Sequence, residues 1–560
     1  MEAPADPQSA SVLNKVPLEV MLRITAYLTT PDLGRLRLAC RAIEQSLFNI
    51  FAREFFTKRQ FMLTEDSLQA FVDMSQSRMS DCIDHVIIGL NGFKEVSRND
   101  NAALHNAYRR AHADHITLVS SGQDIMMLTE AFRNLKNLRT VGIRDYHSRE
   151  RANRDPNSSW ASYGATTLQR ETGVDLLRHS SEDYANKVVI TLFTALGMAD
   201  ARPKAFELLR KRHCVPTDNA FNLFTKYLKP KVIPVLQSIE SLVLVANVNR
   251  GPSRRVSTPG RRDIVHDYLL RQFLGHFINL KHLRINFYST GISDEDDRFL
   301  TWLASVPPPS TPSSAVVTPG GLLSNGLLAP VPFVDFKLKE LNLGFCEMHP
   351  KRLMELCRKF APTLRSLELY RVSLIYQRPD NAAADTNQRG HSKVNLWAKT
   401  LRALRELQCL NLDHVMVGLP SQRNDYHTTR CGFRQLQPQS ETQPPGHAQH
   451  KPKCQCNDCI PTVSTMKYTG IDWKGFVEDM AVCVKLEQQP SFADENGSDN
   501  GEHEDDDDEV DSDDEDDDLL DMLDDDLMLM AGYYPDDVMD TLDDLEDMIM
   551  MDSMGHVQDP

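Results

Sequence analysis

One run in this 560-residue chain has the residue types and spacing to hold a metal ion: Cys454-x-Cys456-x-x-Cys459, with Cys431, His427, His447 and His450 nearby in sequence. Thiolates are good zinc ligands, and a tetrahedral set drawn from Cys431, Cys454, Cys456 and Cys459 would staple a long polar insertion that lacks a core of its own. The single residue between Cys454 and Cys456 is tighter than common zinc-ribbon spacing, so redox-active or simply unpaired thiols stand as the alternative. Other chemistry is scarce. No Gly-rich phosphate loop follows a strand pattern, and neither G-x-S-x-G nor H-E-x-x-H occurs. Acids and histidines fall on polar faces and loops, where solvation is their ordinary role. The expectation is a protein without catalytic residues and without a cofactor beyond that structural zinc.

At 41% hydrophobic content the chain can bury a large core, which predicts one extended domain with appendages. Eleven cysteines, scattered and odd in number, predict free thiols in a reducing compartment. Residues 1–11 are polar and small, predicting a disordered start rather than a leader, and the longest apolar stretch, Val188 to Ala199, is too short to span a bilayer. These features predict a cytoplasmic or nuclear protein with no membrane role.

The net charge of −17 hides a division. Residues 491–560 carry 30 acids and no Lys or Arg, leaving 49 acids against 62 bases in residues 1–490. Glu502 to Asp518 is nearly pure charge and predicts disorder by self-repulsion. Beyond it Leu519, Leu520, Leu523, Leu527, Leu542, Leu545, Met548 and Ile549 recur among aspartates, a pattern that can form amphipathic segments on a partner. Two roles follow for this tail: it binds a basic partner, or it docks on its own basic body and shields the substrate face until a basic substrate displaces it. Nucleic acid is disfavoured, because no stacking aromatics interleave with the basic loops and the tail repels phosphate.

Between the termini runs a weak internal repeat. Ile239-x-x-Leu242-x-Leu244-x-x-Asn247 and Leu338-x-x-Leu341-x-Leu343-x-x-Cys346 match the leucine-rich-repeat template, and Leu364-x-x-Leu367-x-Leu369 and Leu407-x-x-Leu410-x-Leu412 match its first half. Val86/Ile88, Ile116/Leu118, Val141/Ile143 and Leu283/Ile285 read as further short strands, each burying one face. Helical patterns fall between them: Pro350 opens one with Leu353, Leu356, Cys357 and Phe360, and Ile125, Leu128, Phe132 and Leu135 form a second. Trp397, Leu401 and Leu404 form a third. Each strand and helix pair can bury its apolar face only against the next, which predicts an α/β fold in the form of an irregular leucine-rich-repeat-like solenoid over residues 57–490. A generic α/β domain whose leucines are simply core is the alternative. Segments 146–160, 250–262, 305–332, 376–393 and 419–463 read as loop insertions. On this register Glu340, Asn342, Ser366, Glu368, Asn411 and Asp413 point outward as candidates to face a substrate.

Residues 12–56 complete the plan. Val20, Met21, Ile24, Tyr27 and Leu28 recur at helical steps behind Pro17, Thr30-Pro31-Asp32 closes that helix and opens another, and Leu33, Leu36, Cys40 and Ile43 form the next stripe. Three short helices over about forty residues bury too little surface to stand alone, so a partner is expected to complete them. An ordinary helical hairpin packed on its own body is the alternative. The run resembles an F-box, of the kind in fungal-type F-box domain proteins. The resemblance implies docking on a Skp-type subunit of a cullin ligase through Val16, Pro17, Leu18, Val20, Ile24, Leu28, Leu33, Leu36, Cys40 and Arg41. The family usually has leucine before the proline and often tryptophan three residues after the cysteine, where this chain has Val16 and Ile43. Leucine-rich repeats behind an F-box are a known pairing in that family, so the resemblance implies a substrate-recognition adaptor of a Skp-cullin-F-box ubiquitin ligase. The alternative is a ligase-independent scaffold or transcription-linked interaction protein acting through the acidic-hydrophobic tail.

Overall fold

Three helices open the described chain: α1 (Leu18–Thr25), α2 (Thr30–Ala39) and α3 (Arg41–Phe56). Pro17 stands at the N-cap of α1, one position ahead of the first turn. Thr29, not Thr30, caps α2, its hydroxyl accepting from the Asp32 N–H at 3.3 Å, with Pro31 in the first turn. Met21, Leu33, Ile43, Leu47 and Phe55 make a small separate core at their meeting point. Arg37 lies 3.4 Å over the Phe51 ring and pairs with Glu44 at 3.1 Å, closing the open end of that core.

This structure is a computed structural model that divides the chain into residues 1–488 and 489–560. It describes residues 16–94, 101–147, 161–211, 215–248, 267–288, 295–306, 331–376, 394–423, 428–434 and 462–486. Beyond α3 the elements run β1 (Lys58–Phe61), α4 (Glu65–Gln76), β2 (His85–Gly89), α5 (Ala102–Ser121), α6 (Gln123–Asn134), β3 (Thr140–Arg144), α7 (Ala165–Thr172), α8 (Glu182–Ala199) and β4 (Ala205–Leu209). Next come α9 (Lys229–Ser238), β5 (Ser241–Ala246), α10 (Tyr268–Leu274), β6 (His282–Phe287), α11 (Glu295–Ala304), β7 (Glu340–Gly344), β8 (Glu347–Met348) and α12 (Pro350–Phe360). The series ends with β9 (Ser366–Tyr370), β10 (Ser373–Ile375), α13 (Leu396–Arg405), β11 (His414–Gly418), β12 (Ser421–Arg423), β13 (Thr428–Arg434), β14 (Thr462–Val463), β15 (Thr465–Thr469), α14 (Trp473–Cys483) and β16 (Val484–Leu486).

Ten strands form one sheet in the order β1-β2-β3-β4-β5-β6-β7-β9-β11-β15, parallel throughout except for the antiparallel β15 at its edge. The same three apolar positions recur in seven of the strand units. Ile83/Val86/Ile88, Leu138/Val141/Ile143, Ile239/Leu242/Leu244, Leu280/Leu283/Ile285, Leu338/Leu341/Leu343, Leu364/Leu367/Leu369 and Leu412/Val415/Val417 are all buried in one continuous core with Phe206 and Leu208 of β4. A backbone ladder keeps the units in step. Arg139, Lys204, Glu240, Lys281, Lys339, Arg365 and Asp413, each just ahead of its strand, donate their N–H to the equivalent carbonyl one strand earlier at 2.6 to 2.8 Å. Unlike side chains at these seven positions give the same bond, so the geometry belongs to the backbone. Helices α4, α6, α8 and α9 pack in sequence on one face, and α11, α12, α13 and α14 continue the layer. The apolar run around Val188 lies in α8 as a core helix, and no described helix is long and apolar enough to cross a membrane.

Phe345, Arg371 and Leu419 follow β7, β9 and β11 directly, and all three hold left-handed backbone angles, φ 56°, 48° and 46°. That turn sends the chain into the short strands β8, β10 and β12, which pair in parallel in a second sheet completed by β13, β14 and β16. A side chain in this conformation is strained by roughly 1 to 2 kcal/mol, so the recurrence reflects a demand of the fold rather than the residue type.

Four sequence expectations change. Ile116 and Leu118 lie inside α5, a helix capped by Asn101 and ended by Gly122, so that pair is no strand. β1 and β4 take up strand positions that the sequence reading passed over, because Lys58–Phe61 and Ala205–Leu209 lack the repeated leucines. The Leu407-x-x-Leu410-x-Leu412 match is displaced by five residues: Leu412, Val415 and Val417 hold the strand positions, and Leu407 and Leu410 belong to the approach from α13. Segment 419–463 is not all loop, since β12, β13 and β14 fall within it. Residues 148–160, 250–262, 307–330 and 377–393 lie outside the described residues, as do 1–15 and 487–560.

Candidate docking surfaces

The helical module at the N-terminus cannot cover its own apolar surface. Leu18, Val20 and Ile24 of α1 are 45%, 46% and 42% exposed, Tyr27 just beyond it is 90% exposed, and Leu38 of α2 is 87% exposed. Five large apolar side chains open to water within 21 residues are unusual, because isolated exposed leucines are common and clusters are not. Of the residues implied for adaptor docking, Pro17, Leu18, Val20, Ile24 and Arg41 are exposed, and Val16, Leu28, Leu36 and Cys40 are half-buried against the module core. Leu33 is corrected. At 2% exposure it is a core residue and is not available for contact. Tyr27 and Leu38 join the exposed set instead. Leu38 was legible as a leucine two residues off the Leu36 stripe, which puts it on the opposite side of its helix.

The module is tied to the body at α3. Arg78, beyond α4, pairs with Glu44 and lies 4.0 Å over the Phe48 ring. The hydrogen bond from Arg78 holds the Glu44 carboxyl below its ordinary value.

The outward row of the sheet forms a second surface. In register across the strands stand Ala205, Ser241, His282, Glu340, Ser366 and His414, and beside them Glu207, Val243, Arg284, Asn342, Glu368 and Met416. Their side chains meet laterally: His85 and Arg144 with Glu207 at 3.5 and 3.4 Å, His282 with Glu340 at 3.1 Å, and Arg284 and His414 with Glu368 at 3.1 and 3.2 Å. Burial pushes the Glu207 carboxyl up, but His85, Arg144 and Lys58 outweigh it and leave the group below its ordinary value. For Glu340 the hydrogen bond from His282 is the larger influence and also lowers it. Each of these three carboxylates thus has a histidine or arginine neighbour within the sheet. Of the expected substrate-facing residues, Glu340, Ser366 and Glu368 do lie on this row, while Asn342 is buried there at 3% exposure, its amide donating to Glu340 at 2.9 Å. Asn411 and Asp413 are exposed, but the displaced register puts them in the turn ahead of β11, with His414 and Met416 in the outward row.

A third feature follows the carboxyl ends of the strands. Lys211, just past β4, sits 4.8 Å over the Tyr146 ring beyond β3, Arg210 sits 3.9 Å over the Tyr288 ring beyond β6, and Arg371 sits 5.3 Å over the Phe345 ring beyond β7. Sequence reasoning missed this rim, because cations and rings from separate units meet only once the strands are in register.

The thiol cluster divides. Cys431 is buried in β13, its sulfur 3.9 Å from the Thr429 carbonyl, while Cys454, Cys456 and Cys459 lie outside the described residues. Among the described residues no group of three or more His, Cys, Asp and Glu side chains is placed to hold a metal.

No family model matches this chain, and no curated protein matches it. Among solved structures, the crystal structure of the Rad7 and Elc1 complex in yeast is similar at 11% identity over 72% of this chain and 87% of that one, with a TM-score of 0.21.

Proposed function

We propose that this chain is a non-catalytic substrate-recognition adaptor of a Skp-cullin-F-box ubiquitin ligase, with the α1–α3 module as an F-box and the body as a leucine-rich-repeat-like solenoid that holds a protein substrate. The observation that carries the reading is the exposed cluster of Leu18, Val20, Ile24, Tyr27 and Leu38 on a three-helix module with a five-residue core. Covering this cluster, at up to roughly 1.5 to 3 kcal/mol for each side chain that is fully exposed, offsets ordering and association costs of about 4 to 15 kcal/mol. The repeated Leu-x-x-Leu-x-Leu positions and the backbone ladder support the solenoid. An adaptor of this kind contributes no bond chemistry, and its effect on rate is position and effective concentration.

The test is co-purification with a Skp-type subunit. Val20→Asp combined with Ile24→Asp should abolish it, whereas Ile471→Asp, at a body residue more exposed than either, should leave it intact. Unchanged recovery with the double variant would sink the reading. Reporter activation by residues 519–552 alone, with no Skp-type subunit recovered, would favour the transcription-linked alternative.

A further inference from the structure

The two edges of the ten-stranded sheet differ. At β1 the backbone is capped from within the chain: the Gln60 carbonyl accepts the Tyr163 N–H at 2.8 Å, and the Met62 N–H, just past the strand, donates to the Ser67 hydroxyl at 3.1 Å. At the other end β15 pairs with β11 alone. The Leu419 N–H donates to the Ser464 carbonyl at 2.7 Å and the Gly470 N–H to the Asp413 carbonyl at 2.8 Å, so residues 464, 466, 468 and 470 carry the bonds to β11. Thr465, Lys467 and Thr469 therefore turn their N–H and C=O groups away from β11, and among the described residues no strand or loop takes these groups up. A row of open backbone groups is a template for one more strand.

We infer that β15 takes an extended segment of a partner protein as an added strand, one that alternates acidic and apolar residues. The inference goes beyond the adaptor reading and does not depend on it. The side chains along the edge set that pattern. Thr465, Lys467 and Thr469 stand beside Gly418, Met416 and His414 on the outward row, the floor of the sheet, and Lys467 and Thr469 are exposed. Met466 and Tyr468 stand on the opposite side beside the buried Val417 and Val415, and the Tyr468 ring stacks on Phe476 at 4.9 Å. Side chains of neighbouring strands meet on the same face, so an added strand meets a cation on the floor side and half-buried apolar surface on the helix side. Lys467 has no ion pair among the described residues, so its charge is open to a carboxylate. A second copy of the chain is the poorer occupant. Lys467 is the middle residue of β15, so antiparallel pairing of two such strands sets it against itself, and like charges directly opposite destabilise a pair. Pairing through backbone groups also selects a polypeptide over a nucleic acid.

A lysine on an edge can also serve only to keep other strands away, and peptide binding separates the two roles. The measurement is fluorescence anisotropy of the full chain with a labelled peptide of about eight residues alternating Val and Glu, and with its Val and Lys counterpart. The Val-Glu peptide should bind the unaltered chain roughly fivefold tighter or more. Lys467→Glu should weaken it by roughly tenfold and reverse the preference, with an unchanged melting temperature. Lys351→Glu, at an exposed residue of α12, should leave it within about twofold, and an equal loss there would reduce the effect to bulk charge and overturn the proposal. Methylating the backbone nitrogens of either the Glu or the Val residues removes the N–H groups along one side of the peptide. At least one of these two peptides should bind roughly tenfold more weakly, and undiminished binding of both would leave side-chain attraction alone and overturn the added strand. So would the absence of binding by the unaltered chain, or equal binding of the Val-Glu and Val-Lys peptides. A dimer of the unaltered chain that the Val-Glu peptide dissociates would give the edge to a second copy and overturn the proposal as well.

Discussion

The N-terminal module and the body solve the same problem in opposite ways. In the body every strand unit presents its apolar face to the next helix, and the core runs without a break from Phe61 to Val484. In the module five buried residues are surrounded by as many exposed apolar ones. The difference is one of size. A stacked array grows its interior in proportion to its units, while three short helices have more surface than they can hide. A buried apolar residue in either region is therefore evidence about stability, and the module differs in leaving a cluster of apolar residues exposed.

The sharpest break of this contrast is a matched pair of truncations. Phe273→Ala, in the body core between Phe193, Phe221 and Phe277, should cost about 3 to 5 kcal/mol in urea unfolding. Ile24→Ala should change stability by less than about 0.5 kcal/mol. Equal costs would mean that Ile24 is covered by the chain itself.

Leu33→Ala should cost about 2 to 4 kcal/mol, but locally. Hydrogen exchange should lose protection over residues 18–56 and keep it over β2 to β11. Loss across both regions would show a single cooperative unit.

The body also carries titratable groups inside, and the module core does not. Lys359 donates to the carbonyls of Leu303 and Ser305 at 2.8 Å each, beside the last turn of α11, and burial lowers its ammonium to about 8. Its charged form is the one the fold disfavours, so the unfolded chain holds more protons and stability rises as pH climbs from about 8 toward the unfolded value near 10.5. Relative to Lys359→Met, the unaltered chain should gain about 1 kcal/mol between pH 7 and pH 9.5, after allowance for partial exposure. A flat difference would contradict the buried environment.

The smallest effect belongs to the joint. Arg78→Ala removes the Glu44 pair and the contact over Phe48, and should cost about 0.5 kcal/mol in stability. Spin-label distances between α1 and α8 should broaden in that variant; an unchanged distribution would assign the rigidity to α3 alone.

Much of this contrast was legible in the residues. The Leu-x-x-Leu-x-Leu runs at Ile239, Leu338 and Leu364 gave their strands directly, since alternation on a half-buried face is a strong local signal. Ile116 and Leu118 misled because two apolar residues a step apart also fit one side of a long helix, and the length of α5 decides it. The register of β11 was hidden because Leu407, Leu410 and Leu412 imitate the pattern five residues early, and only pairing with β9 distinguishes them. Leu33 was expected as a contact through the F-box resemblance alone, and its place on the apolar stripe of its helix does not tell whether a partner or its own module covers it. The His and Glu pairs of the floor were not legible at all, since His282 and Glu340 are 58 residues apart and meet only across neighbouring strands.

A single residue, Thr57, separates α3 from β1, and its carbonyl accepts the N–H groups of both Asp84 and His85. With no slack at that joint and Arg78 bridging it to α3, the first helices are held in one orientation to the sheet. Under the proposed adaptor function, a cargo held on the sheet would be presented to a tethered enzyme along a fixed arc, and the lysines it offers would be chosen by geometry as much as by sequence.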